Sequence, residues 1–261
     1  MLRLAAALLF LSAIPAFASQ CQQIAGDGEA RIWRAALQPG EVRIRFLGHA
    51  ALRIETDEGR AAVTDFFGYA GSGPAPDAVT MNHAHSTHWT PNPDPAIAHP
   101  LKGWGEGLEP ARHWLQLDNL LIRNVTTDIR AGGSMERDGN SIFIFEYEGL
   151  CIGHLGHLHH LLDEGHYAEI GRLDVVMAPV DGGYTMSIPD MITVLKRVKA
   201  RVVIPMHIFS DFALERFLAG MADEFAIVSE PADELVLSAM TLPDRPTIRV
   251  LRPVRAHSIY D

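Results

Sequence analysis

Met81-Asn82-His83-Ala84-His85-Ser86-Thr87-His88-Trp89 decides how the rest of the chain is read. A short apolar run, Ala78-Val79-Thr80-Met81, delivers three histidines within six residues, and a loop rich in proline and glycine follows over 91–112. Neutral imidazole is the commonest protein ligand for zinc, iron, copper and nickel. His83 and His85 are two apart, so on an extended segment they point the same way. His88 can return toward the same point if the chain turns. A surface loop with three incidental histidines is the competing reading, and the remaining strands decide between the two.

The chain has 261 residues, 48% of them hydrophobic and 21% charged, which suits a globular domain. Arg3, the apolar run Leu4–Phe17 and Ala16-Phe17-Ala18 read as a signal peptide over 1–18, with 19–261 as one exported domain, periplasmic or secreted. No apolar run beyond that leader reaches a membrane span, so no stable span is expected after cleavage. Without the leader the formal charge is −11, with 21 basic against 32 acidic residues. That balance argues against a nucleic-acid partner and for a small-molecule substrate. Export permits a disulfide between Cys21 and Cys151; a buried thiol at Cys151 and an incidental Cys21 remain the alternative.

Outward from the histidines, the pattern predicts strands at 42–46, 51–55 and 61–64, with a turn at Asp57-Glu58-Gly59. After an irregular segment at 91–112, further strands are expected at 114–117, 120–125, 141–147 and 150–153. Helices and strands then alternate. One helix runs from a cap at Asp163 to Gly171, and one opens at Ser187 and Pro189 and runs through Lys199. A third is capped by Asp211, and strands are expected at 174–178, 201–205, 225–228 and 234–237.

Asp65, His83, His154 and His207 each follow directly on an apolar strand. In layered α/β folds, functional groups gather where strands end. Four separated strands ending in metal-ligand types argue for a metal centre.

These residues carry a family resemblance. Leu47-Gly48-His49-Ala50-Ala51, Val63-Thr64-Asp65, His83-x-His85-x-x-His88, His154-Leu-Gly-His157 and Ile204-Pro205-Met206-His207 resemble the metallo-β-lactamase superfamily. Within it they resemble the branch of ascorbate-phosphate lactonase and N-acyl-phosphatidylethanolamine phospholipase D, as does the run from Asp174 to Met186. The resemblance implies a four-layer αββα sandwich with metals at one edge. It implies one ion held by His83, His85 and His154, a second held by His88, His207 and an aspartate, and a further aspartate bridging the pair. At those aspartate positions this chain has Thr87 and His157.

That departure shapes the functional expectation. Two divalent ions close together need bridging negative charge, which neutral imidazoles do not supply. The expected metal ligands are His83, His85, His88, His154, His157 and His207, with His49 and Thr87 behind them and His157 and Asp65 as catalytic groups. His157 can ligate a second ion, act as base, or close the open position of the first. The expected cofactor is zinc, one or two ions, with manganese or iron as alternatives. The expected activity is an exported hydrolase using metal-bound hydroxide on a lactone, ester, amide or phosphodiester. The alternative is a metal-binding relative with altered or lost catalysis. Tyr184 and Ser210, just past strand ends, are candidates to touch substrate.

Overall fold

The computed structural model describes residues 21, 40–82, 85–105, 109–131 and 133–253. The leader and His83 lie outside the described residues. In chain order the elements are β1 (Val42–Gly48), β2 (Ala51–Thr56), β3 (Ala61–Val63), β4 (Ala78–Met81), β5 (His99–Lys102), β6 (Trp114–Leu117), β7 (Leu120–Ala131), β8 (Ser134–Tyr147) and β9 (Leu150–His154). There follow α1 (Glu164–Ile170), β10 (Val175–Pro179), α2 (Ile188–Val198), β11 (Val202–Met206), α3 (Asp211–Met221), β12 (Ala226–Ser229), β13 (Glu234–Leu237) and β14 (Thr247–Val250).

Two sheets face each other: a six-stranded one ordered β13-β1-β2-β3-β4-β5 and an eight-stranded one ordered β12-β14-β11-β10-β9-β8-β7-β6. Alternation along the strands sorts the apolar residues into layers. Val42, Ile44, Leu52 and Ile54 meet Phe143, Phe145, Val175 and Met177 between the sheets. Ile142, Ile144, Val176 and Val203 face outward under the helices, against Met191, Leu195 and Phe217. Leu47, Val63, Val79 and Met81 form the far side of the six-stranded sheet, where Phe67, Tyr69, Trp89 and Trp104 from loops pack on them. The α/β sandwich expected from the sequence is therefore present, with loops covering that outer face among the described residues.

Several boundaries differ from expectation for physical reasons. The segment 91–112 is not wholly irregular: His99–Lys102 forms β5, at the sheet edge, where Pro100 is tolerated. β14 gives no clear signal beside Pro246 and was not expected. β7 and β8 run well past their apolar cores, through segments of mainly polar residues, although Val125, Thr127 and Ile129 still alternate inward along β7. Ser210, not Asp211, caps α3, accepting from Ala213 N, so its side chain serves the helix rather than a substrate.

Cys21 and Cys151 are joined, which resolves the two cysteine readings in favour of the disulfide. Cys21 is further held by the Arg172 N–H donating to its carbonyl. Because the closed loop spans 130 residues, Cys151→Ser is expected to cost about 3–5 kcal/mol of stability. Urea unfolding of the variant against the oxidised parent checks this; an unchanged midpoint would show the bond to be incidental.

Candidate metal centre

The site is assembled at one end of the sandwich by five breaks in the strands. His49 lies in the turn between β1 and β2, Asp65 follows β3, and His85 and His88 follow β4. His157 lies past β9 and His207 directly follows β11. His49, Asp65 and His207 all have positive φ, at 54°, 43° and 55°. Non-glycine residues visit this region sparingly, and doing so turns each side chain sharply off its strand. The His207 N–H donates to the His49 carbonyl at 2.7 Å, tying two of these corners together.

His85, His88, His157 and His207 each bring a ring nitrogen into one space, all within 4.8 Å of one another. Nε2 of His85 and Nε2 of His157 are 3.1 Å apart. A tetrahedral zinc site spaces nitrogens by about 3.3 Å, so the dimensions fit an ion. Three of the rings are buried and His85 is exposed, so the cluster opens to solvent at His85.

Hydrogen bonds behind the rings decide which nitrogen faces the space. His88 donates from Nδ1 to Asp65 Oδ2 at 2.7 Å, leaving Nε2 with a lone pair. His207 donates from Nδ1 to Asp181 Oδ2 at 2.8 Å. Its Nε2 is one of two buried side-chain polar atoms without a hydrogen-bond partner among the described residues. A buried polar atom left unmatched costs about 1–3 kcal/mol, and an ion would satisfy it. His85 Nδ1 lies 2.8 Å from Thr87 Oγ1, so donation to the hydroxyl again frees Nε2. Carboxylates and hydroxyls behind ligand histidines set their tautomer in this way.

His157 is different. The Arg130 N–H donates to Nδ1 of His159 at 2.5 Å, so neutral His159 carries its proton on Nε2. That proton is donated to Nδ1 of His157, also at 2.5 Å. Neutral His157 then holds its own proton on Nε2, toward His85. Three histidines therefore offer lone pairs and the fourth offers a proton.

The expected ligand His154 requires correction. It is still within β9, so its side chain enters the space between the sheets rather than the edge. Nε2 donates to the Ala50 carbonyl at 2.9 Å and Nδ1 accepts from the Gly156 N–H at 3.1 Å. Both nitrogens are committed, and the residue holds the His49–Ala50 turn in place. Asp65 is likewise engaged at both oxygens, by His88 and by Asn82 Nδ2 at 2.6 Å. It lies behind the His88 ring, which it orients. His49 reaches the cluster, its Nε2 3.3 Å from Nε2 of His88.

Asp181, Asn82 and Asn140 are functional positions the sequence reading did not assign. Asp181 follows an apolar strand, as the other site residues do, and the same rule applied once more would have found it. Asn82 ties Asp65 to the Ser141 N–H, and Asn140 accepts from the His157 N–H at 2.7 Å. Gly156 fits between them: with φ of 60°, it comes so close that a Cβ would overlap Asn140 and Asn82. Only glycine suits that place.

Burial sets the protonation of the cluster. Desolvation, then the neighbouring rings, pushes His49 down to about 2 and His88 and His157 far below the ordinary imidazole value. Desolvation and Arg130 bring His159 to about 4. Burial works to raise the Asp181 carboxyl, but hydrogen bonds from His207 and Thr185 outweigh it and hold it well below the usual range. Burial raises Asp65, opposed by His154 and Asn82. The unfolded chain thus binds more protons than the folded one below the unfolded value of about 6.5. Metal-free protein should hold its full stability above that value and lose it as pH falls from about 6.5 toward 4. The slope is about 1.4 kcal/mol per pH unit for each histidine kept neutral. Denaturant titrations at pH 5, 6 and 7 should show a slope exceeding one proton; a flat profile would mean the rings titrate normally.

Residues 43–207 match the family model of the beta-lactamase superfamily domain. The chain belongs to the β-lactamase superfamily. Among its relatives in this superfamily is a UPF0173 metal-dependent hydrolase of Cupriavidus metallidurans, 27% identical, covering 72% of this chain and 78% of the relative. Another, from Methanoculleus marisnigri, is 26% identical and covers 64% of this chain and 80% of its own. A solved metallo-β-lactamase superfamily structure from Thermotoga maritima superposes with a TM-score of 0.58 at 27% identity, covering 80% of this chain and 98% of that one. The curated relatives carry the name metal-dependent hydrolase, and the Thermotoga maritima structure is described as a zinc-dependent hydrolase.

Proposed function

We propose that the protein is an exported hydrolase that works with a single divalent ion, zinc fitting best, on a lactone, ester, amide or phosphodiester. The observation that carries this reading is the buried, unpartnered Nε2 of His207, set among the nitrogens of His85 and His88. Three imidazole lone pairs with a fourth position open are the ligand pattern of catalytic zinc. The charge count favours one ion. The carboxylates behind the rings, Asp65 and Asp181, match one divalent charge, and no carboxylate among the described residues joins the ligating group.

A divalent ion held there would supply Lewis acidity, lowering the pKa of water and polarising the scissile group. The chain's own residues do the rest. His85, His88 and His207 would hold the ion, their rings oriented by Thr87, Asp65 and Asp181. His157 donates from Nε2 to the oxygen on which negative charge builds, its direction fixed by His159 and the Arg130 backbone. Such preorganised donors are among the larger contributions to catalysis. His49 lines the same space and offers a neutral ring nitrogen to bound substrate.

Export is supported by the leader at 1–18 and by the disulfide, which persists in oxidising compartments. Elemental analysis of protein purified from its own compartment tests the centre: one ion per chain is expected, and two would overturn the single-ion reading. Thr87 cannot take up a proton as a carboxylate can, which favours, as second reading, a metal-binding relative without hydrolysis. Loaded protein that cleaves none of the four bond types would establish that alternative.

A further inference from the structure

From the buried His207 a ladder of rings leads outward. Phe209 stands edge-on to His207, with centroids 4.7 Å apart, and lies 5.5 Å from the ring of His49. Tyr184 lies 5.2 Å beyond Phe209, tilted against it, and is 62% exposed. An exposed aromatic ring on a firmly held backbone has little ordering left to lose on binding and gains from stacking, so it suits a contact with a planar group.

The support here is hydrogen-bonded from two sides. Asp181 Oδ1 accepts from the N–H groups of Gly183, Tyr184 and Thr185, and its other oxygen accepts from the Thr185 hydroxyl and from His207. From the other side, Arg130 Nη2 donates to the carbonyls of Gly183, Tyr184 and Thr185. The backbone of 183–185 is thus gripped on both its donors and its acceptors. The grip comes from Asp181, which orients His207, and from Arg130, whose N–H fixes His159. One set of contacts fixes both the ring and the centre. His49, Phe209 and Tyr184 are the ladder's incompletely buried members, and the cluster itself opens at His85.

We infer that Tyr184 and Phe209 form a shelf that receives an aromatic or other planar apolar group next to the scissile bond, and that substrates of this hydrolase carry such a group. The inference rests on the single-ion hydrolase reading and specifies its substrate class. It also assigns Tyr184 and Phe209 as specificity-determining residues. The tyrosine hydroxyl plays no part in it; the ring does.

The test uses two inert tetrahedral anions, phenylphosphonate and methylphosphonate, titrated calorimetrically into metal-loaded full-length protein. The parent should bind phenylphosphonate roughly tenfold more tightly. Tyr184→Ala should remove most of that preference with little change for methylphosphonate, and Tyr184→Phe should keep it. Because the side chain is exposed and its loop is held through backbone groups, Tyr184→Ala leaves the fold intact. Protein that takes neither phosphonate, or both equally, overturns the inference, as does a preference that survives Tyr184→Ala. The hydrolase reading fails separately, if loaded protein shows the ring preference yet cleaves no ester, lactone, amide or phosphodiester.

Discussion

His207→Ala is expected to abolish ion binding at micromolar metal and to eliminate any hydrolytic activity while leaving the metal-free protein folded. Loss of a group behind a ligand typically lowers affinity by 10–100-fold, and loss of a ligand itself exceeds that. The contrast with stability makes the experiment informative. Nε2 of His207 contributes no hydrogen bond to the fold, and its burial without a partner is a standing cost. Asp181 loses one donor in the variant but keeps Gly183, Tyr184 and Thr185. The melting temperature without metal should therefore move by only a few degrees, whereas the metal-induced rise should vanish. If metal still raises the variant's melting temperature as in the parent, His207 is not a ligand and the centre lies elsewhere.

The second large effect concerns charge. Restoring carboxylates with the double change Thr87→Asp and His157→Asp is expected to raise the metal content from one ion per chain to two. In the parent the rings of His85, His88, His157 and His207 face one another with no negative charge among them. Two ions a few ångströms apart repel strongly unless anionic ligands lie between them. The double change supplies two, and it removes the proton that His157 directs at His85. Metal analysis after dialysis reads the result; a ratio that stays at one would mean that geometry, not charge, limits occupancy.

Much of the sandwich was legible because its strands alternate and its helices carry local start and stop signals. The Ser187 cap and the helix it opens follow from spacing alone. What escaped was structure without an apolar signature: the polar halves of β7 and β8, the proline-containing edge strand β5, and β14. The site divided in the same way. His157 stood out only through the family resemblance, His88 because of its spacing to His83 and His85, and His207 because it directly follows an apolar strand. His154 satisfies that rule too, yet being inside β9 by one residue turns it toward Ala50 instead. One position along a strand reverses a side chain, and sequence spacing does not resolve strand ends that finely. Asn82, Asn140 and Arg130 act through backbone partners distant in sequence, which no local pattern announces.

The bond between Cys21 and Cys151 also fixes an order of assembly. It joins residues 130 apart, so the first cysteine must wait until the chain through β9 has been made. β1 waits longer still, since its outer neighbour β13 is among the last segments to appear. His207 comes after the disulfide partner and before β13. No partial chain shorter than that contains the ligand trio of His85, His88 and His207. A chain that stops short of the end of β11 therefore lacks His207, and with it one of the three nitrogens proposed to hold the ion.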